Sequence, residues 1–117
     1  MTIARHNAGP RMSGAVVHNN TVYLAGQAAA DASAGVKGQT EQVLKKIDDL
    51  LKAAGTDKSK LLSATIFLAD IRGFDEMNAA YVEAFRAPYP ARTTVYVGLP
   101  DGFLVEIDAL AVVGPTT

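Results

Sequence analysis

The stretch YPARTTVYVGLPDGFLVEIDALAVV, Tyr89 to Val113, decides how this chain is read. From Arg92 to Leu99 the residues are mostly β-branched or aromatic, Pro100-Asp101-Gly102 supplies turn chemistry, and Phe103 to Val113 is apolar except at Glu106 and Asp108. The pattern predicts two strands folded back on each other as an antiparallel pair. A carboxylate is costly to bury in so apolar a strand, so Glu106 must face water, a partner charge or a ligand-filled cleft. Glu106 and Asp108 are two residues apart and share one strand face, with Leu104 and Leu110.

Immediately upstream, Phe74, Met77, Tyr81, Ala84 and Phe85 recur at three- and four-residue steps and predict a helix, which Pro88 and Pro90 terminate. Before it, Lys60 to Ala69 reads as a central strand, apolar on both faces: Leu62, Ala64, Ile66 and Leu68 on one, Leu61, Phe67 and Ala69 on the other. Val43, Leu44, Ile47, Leu50, Leu51 and Ala54 line one side of a helix running from Gln39, with Lys45, Lys46, Asp48, Asp49 and Lys52 opposite. Thr40 or a neighbour is the expected cap, and Gly55 suits the left-handed position that closes a helix. Gln27 to Gly38, rich in Ala, Gly, Ser and Asp, reads as a loop serving as a lid or wall. Gly14 to His18 and Thr21 to Gly26 flank Asn19-Asn20, a pair that tolerates the positive φ of a hairpin turn. Residues 1–13 suggest a short edge strand and an irregular loop.

The resulting order, ββαβαββ, is an α+β fold: a mixed β-sheet with two helices on one face, since right-handed crossovers put both helices on the same side. The opposite face still carries apolar side chains and no second layer remains in the chain, so self-association is the economical way to cover it. At 117 residues the chain, 1–117, is expected to be one domain.

Eleven Lys and Arg against twelve Asp and Glu give a formal charge of -1. The cations are scattered, whereas a nucleic-acid surface needs them clustered, so no nucleic-acid partner is expected. There is no cysteine, hence no disulfide framework, thiol nucleophile or zinc-thiolate site. No apolar run approaches the roughly 20 residues that span a bilayer and no secretory leader is evident, which makes a cytoplasmic protein with no membrane partner the expectation. His6 and His18 have no spaced His, Asp or Glu partner, so no metal is expected. The serines lack a nucleophile-elbow context, and no phosphate-binding or dinucleotide glycine pattern occurs, so no cofactor is expected either.

Two residues carry the candidate chemistry. Arg92 offers paired donors that match two carboxylate oxygens, against the alternative of a surface or intersubunit ion pair. Glu106 could position and activate a water or pass a proton, against the alternative of a salt bridge. Asn78 stands on a helix face where an apolar residue would be usual; it either holds the backbone of a site loop or bonds a neighbouring carbonyl. The tyrosines read as core or interface aromatics.

Taken together, V-Y-L-A-G-Q at 22–27, SATIFLADI at 63–71, F-x-x-M-N-x-x-Y at 74–81, Y-P-A-R at 89–92 and L-P-x-x-x-x-V-E-I-D-A-L-A at 99–111 resemble the Rid, or YjgF, family of reactive imine and enamine deaminases over nearly the whole chain. The resemblance implies a homotrimer of chorismate-mutase-like subunits with sites between subunits. It implies cofactor-independent hydrolysis of 2-imino or 2-enamino acids to 2-oxo acids and ammonia, with such an acid as the small ligand. In it Arg92 would bind the substrate carboxylate, Glu106 would position the attacking water, Gly26, with Ala25 before it, would offer backbone contacts to the substrate, and Asn78 would match a site-supporting asparagine. The sequence departs from the best-studied branch at Gly9-Pro10-Arg11-Met12-Ser13, where Arg11 or Met12 stands for a tyrosine, at Ala25 for a serine, and at Thr93-Thr94 for Ser-Cys. These departures bear on substrate identity. The competing function is a non-catalytic trimeric module that binds small carboxylates or a protein partner; ribonuclease activity, attached to some relatives, has neither clustered charge nor a His-based acid/base pair behind it.

Overall fold

The computed structural model describes residues 2–114. Its strands are β1 (Ala4–Ala8), β2 (Ser13–His18), β3 (Thr21–Gln27), β4 (Leu61–Leu68), β5 (Ala91–Tyr96) and β6 (Val105–Val112), and its α-helices are α1 (Val36–Ala53) and α2 (Phe74–Ala84). The strands form one sheet in the order β1-β2-β3-β6-β4-β5. It is mixed, because β4 and β5 run parallel while the other neighbours are antiparallel. The short strand expected within residues 1–13 is β1, at one edge, so three strands rather than two precede α1.

Asn19 and Asn20 turn the β2–β3 hairpin with φ of 49° and 64°, the left-handed values that Asn tolerates and that match the twist of tight hairpins. In α1 the predicted stripe is the buried one: Val43, Leu44, Ile47, Leu50 and Leu51 face the sheet. The helix begins three residues before the expected Gln39. Gly35 occupies the cap position with no side-chain bond, and Thr40, inside the first turns, donates instead to the Val36 carbonyl at 2.7 Å. Gly55, at φ 87°, follows the helix as expected.

Both helices cover the same sheet face. Val22 and Leu24 of β3, Ala64, Ile66 and Leu68 of β4, and Val105, Ile107, Ala109 and Ala111 of β6 join the α1 stripe and Met77, Tyr81 and Phe85 in one buried core. Each large aliphatic chain so buried contributes about 1.5–3 kcal/mol. The opposite face has no covering layer among the described residues: Tyr23 of β3 is 47% and Val95 of β5 37% exposed.

Two expectations are corrected. β5 and β6 do not pair, because β4 lies between them, parallel to β5 and antiparallel to β6. Pro100-Asp101-Gly102 does turn the chain, with Phe103 N–H bonded to the Pro100 carbonyl and Gly102 at φ 85°, yet the segment from Val97 to Leu104 passes over the end of β4. Val97 N–H bonds the Leu68 carbonyl on one side, and Ala69 N–H bonds the Leu104 carbonyl on the other. A strand apolar on both faces is most stable in the middle of the sheet, and it displaces the local hairpin. Leu62 also leaves its assigned face. The β4–β6 register shifts between Leu61 and Ser63, so Leu61 turns toward the core while Leu62 is 49% exposed.

The stretch read as a lid or wall shortens to the residues between Gln27 and Val36 and is tied down. Gln39, fully buried, donates to the Ala32, Ala34 and Gly102 carbonyls and accepts from Leu104 N–H at 2.9 Å. One amide thereby joins this loop and the turn before β6 to α1. No helix among the described residues is long and apolar enough to cross a membrane.

Candidate active site

Arg92 stands second in β5, opposite Ala64 of β4, so its side chain leaves the sheet on the helix-covered face. There α2 meets it. Asn78 Oδ1 accepts from Arg92 Nη1 at 2.7 Å, and the Arg92 Cζ lies 5.0 Å from the Tyr81 ring centroid and 5.9 Å from that of Phe74. Asn78 therefore holds a guanidinium rather than loop backbone, an outcome the helix pattern could not distinguish. Tyr81, Val82, Tyr89, Pro90 and Arg92 line a shallow recess of about 220 Å³ at this edge of the sheet. Burial pushes the Tyr81 phenol above its ordinary pKa, and the nearby Arg92 charge partly opposes that shift.

Glu106 is second in β6, opposite Phe67 of β4, and projects from the uncovered face. No hydrogen bond or ion pair reaches its carboxylate among the described residues. Asp108, on the same face, accepts from Thr65 N–H at 3.3 Å and belongs to the sheet's own bonding. The β3–β6 register slips between Leu24 and Gln27, so that Ala25 and Gly26 together oppose Asp108. Such a bulge re-aims a strand next to the side chain it borders. The Gln27 side-chain amide closes it by donating to the Ala25 carbonyl at 3.0 Å. Gly26 then lies directly beneath Glu106: an ideal Cβ built there would stand 2.5 Å from Oε2 and 3.0 Å from Cδ.

Within one chain, therefore, Arg92 with Asn78 and Glu106 with Ala25 and Gly26 form two separate groups. Arg92 pairs with β4 at Ala64 and Glu106 at Phe67, on opposite sides of that strand. Three residues along and two strands across put their Cα atoms roughly 14 Å apart, and the side chains leave opposite faces of the sheet. Arg11 and Met12, weighed as substitutes for the family tyrosine, sit exposed in the β1–β2 turn. Phe74 and Tyr81 are the additions that the sequence reading passed over as ordinary core aromatics; their spacing from Asn78 on one helix stripe was the available signal.

The mixed six-stranded sheet thus carries a helix-held arginine on one face and a bulge-framed glutamate on the other. The family model described as Endoribonuclease L-PSP matches residues 2–113, and the chain belongs to that family, the Rid or YjgF family of the sequence resemblance. It is 38% identical over 112 residues to the human 2-iminobutanoate/2-iminopropanoate deaminase, covering 90% of this chain and 82% of that one. The RutC family protein YoaB of Escherichia coli is 42% identical over 115 residues, covering 97% of this chain and all of YoaB. Among solved structures, NMB1025 from Neisseria meningitidis, a member of the YjgF protein family, superposes with a TM-score of 0.94 at 33% identity, over 99% of this chain and 98% of that one.

Proposed function

We propose that this chain is the subunit of an imine deaminase that hydrolyses 2-imino acids, and the 2-enamino acids that tautomerise to them, to 2-oxo acids and ammonia. Kinship at about 40% identity with enzymes named for 2-iminobutanoate and 2-iminopropanoate supports the reaction. The observation that carries the site is the division of its chemistry: an arginine with donors free for a carboxylate on one sheet face, and a glutamate with no partner among the described residues on the other. A small imino acid cannot bridge the two groups within one chain. A second copy laid against the uncovered face brings one chain's Glu106 to its neighbour's Arg92, and closure of that contact as a ring gives a homotrimer of chorismate-mutase-like subunits.

In that cleft the Arg92 fork holds the substrate carboxylate and fixes the adjacent imine carbon, and Gly26 and Ala25 leave backbone room beside it. Glu106 accepts a proton from water as the oxygen attacks that carbon. The C–O bond forms while the C=N π pair of the protonated imine moves to nitrogen, giving a neutral carbinolamine. Glu106 returns the proton to the amine, the C–N bond breaks as a lone pair of the hydroxyl oxygen forms the C=O bond, and the hydroxyl proton leaves with ammonia as ammonium. Water and imino acid are fully accounted for in 2-oxo acid and ammonia, and no cofactor enters.

The deciding experiment measures ammonia and 2-oxo acid release from an imine generated in situ by an amino-acid oxidase, for the wild type and Glu106→Gln. A water-positioning carboxylate predicts a fall in kcat of about 10²–10⁴-fold, with 2-oxo acid affinity retained. Unchanged turnover removes Glu106 from the mechanism and favours a non-catalytic carboxylate-binding module.

A further inference from the structure

The guanidinium of Arg92 is surrounded by a single stripe of α2. Phe74, Asn78 and Tyr81 are spaced i, i+4, i+7, so all three project from the same side of the helix. Asn78 takes one of the five N–H donors of the guanidinium. The two rings take none: they attract the cation through their faces, Tyr81 at 5.0 Å and Phe74 at 5.9 Å. Such a cradle restrains the plane of the guanidinium while leaving its other donors for a ligand.

Tyr81 is itself fixed. It is 3% exposed, stands edge-on to Phe85 at 4.8 Å and stacks with Tyr89 at 6.3 Å. Its hydroxyl is buried and finds no hydrogen-bond partner among the described residues. A buried hydroxyl without a partner costs stability rather than adding to it, so the ring is the useful part of this side chain.

We propose that Tyr81 is a positioning residue for Arg92: its ring face sets the plane of the guanidinium, so that the fork meets the substrate carboxylate already oriented. The inference rests on the reading of Arg92 as the carboxylate anchor. Phe74 assists from the greater distance, and Asn78 fixes rotation within the plane.

The test compares wild type, Tyr81→Leu and Tyr81→Phe. Each is measured for kcat and KM on an imine generated in situ, for affinity toward 2-oxobutanoate by calorimetry, for oligomer mass, and for the Arg92 Nε–H resonance by NMR. Tyr81→Leu, which removes the ring, raises KM and the 2-oxobutanoate Kd about tenfold, with kcat falling less than KM rises. It also moves the Nε–H signal in ligand-free protein as the ring current is lost. Tyr81→Phe restores all of these toward wild-type values at an equal or higher thermal midpoint. A merely structural tyrosine predicts a lower thermal midpoint for Tyr81→Leu with affinity and resonance unmoved, and that result overturns the proposal. Equal weakening in Tyr81→Phe overturns it too, since the hydroxyl would then be the active part.

Should Tyr81→Leu fail to fold, Phe74→Leu carries the test, with the same direction and an effect of about two- to threefold from the more distant ring; no change there counts against the cradle. Arg92→Ala separates this proposal from the reading beneath it. If Arg92→Ala binds 2-oxobutanoate as well as wild type, the anchor itself is wrong. If it loses binding while Tyr81→Leu does not, only the positioning role fails.

Discussion

Gly26→Ala separates catalysis from folding more sharply than any other substitution in this chain. The new Cβ would stand 2.5 Å from Glu106 Oε2, 3.0 Å from Cδ and 3.2 Å from Cγ, so the carboxylate must move by about an ångström to restore contact distance. The obstruction is the end of a flexible side chain, so the backbone can stay in place. Glycine in a strand is about 0.5–1 kcal/mol less stable than alanine. Turning Glu106 to a less favourable rotamer costs about 0.5–1.5 kcal/mol, and the two nearly cancel. The thermal midpoint should therefore stay within a few degrees of wild type. An ångström of misplacement at a catalytic group costs about 10²-fold in rate, or about 2.7 kcal/mol of transition-state stabilisation. Steady-state hydrolysis of an imine made in situ, on a sample whose oligomer mass and thermal midpoint are checked, measures both quantities. Wild-type kcat in the alanine variant would refute the claim that Glu106 acts from the position Gly26 allows.

Arg92→Lys keeps the charge and loses the fork, so kcat/KM should fall about ten- to a hundredfold while fold and oligomer mass persist; near-wild-type turnover would make the arginine structural. Light scattering should give about 37 kDa for three 12.3 kDa chains, and Val95→Asp on the uncovered face should lower both that mass and the activity, whereas a monomeric wild type ends the trimer proposal. Asp70 accepts side-chain and backbone hydrogen bonds from Arg72, which hold its pKa at about 2 against an ordinary 3.8. A depressed carboxyl stabilises the fold above its unfolded pKa and loses that contribution as pH falls through the folded one. The deficit of Asp70→Asn in urea unfolding should thus be present at pH 7 and vanish near pH 2; a deficit of constant size would show that charge is not the cause.

How much of this was legible depended on the range of the interaction. The α1 stripe, the Asn19-Asn20 turn and the α2 pattern are local, and periodicity or φ preference reports them directly. Strand pairing is not local. The 100–102 turn is real, but turn chemistry cannot reveal that β4 inserts between the strands on either side of it. The bulge at Leu61–Ser63 likewise moves Leu62 to the surface, and the alternation along Leu61 to Leu68 does not announce it. At the site, Arg92 and Glu106 stood out as charges in apolar strands. Asn78 stood out as an amide on an apolar face, but its partner was hidden because that partner lies on a strand 14 residues away. Gln39 is the same kind of case, a polar residue on the core side of α1 whose bonds run to the loop before the helix, to Gly102 of the turn and to Leu104, all distant in pattern from the helix stripe.

The insertion of β4 also has a consequence for how the site is assembled. As hairpin partners, the strands bearing Arg92 and Glu106 could have offered both residues to one substrate within a single chain. With β4 between them and the side chains on opposite faces, a site containing both must take Arg92 from one chain and Glu106 from another. In the proposed ring of three, every site then has a donor of arginine and a donor of glutamate. Mixing two inactive proteins, Arg92→Ala and Glu106→Gln, unfolding and refolding them together, makes the point measurable. A site is intact when its arginine comes from a Glu106→Gln chain and its glutamate from an Arg92→Ala chain, which random assembly from equal amounts gives for about a quarter of sites. Activity should rise from near zero to about 25% of wild type and should follow the product of the two fractions as their ratio is varied. If both residues acted from one chain, no mixture could contain an intact site, and activity staying at the level of the separate variants would overturn the split site.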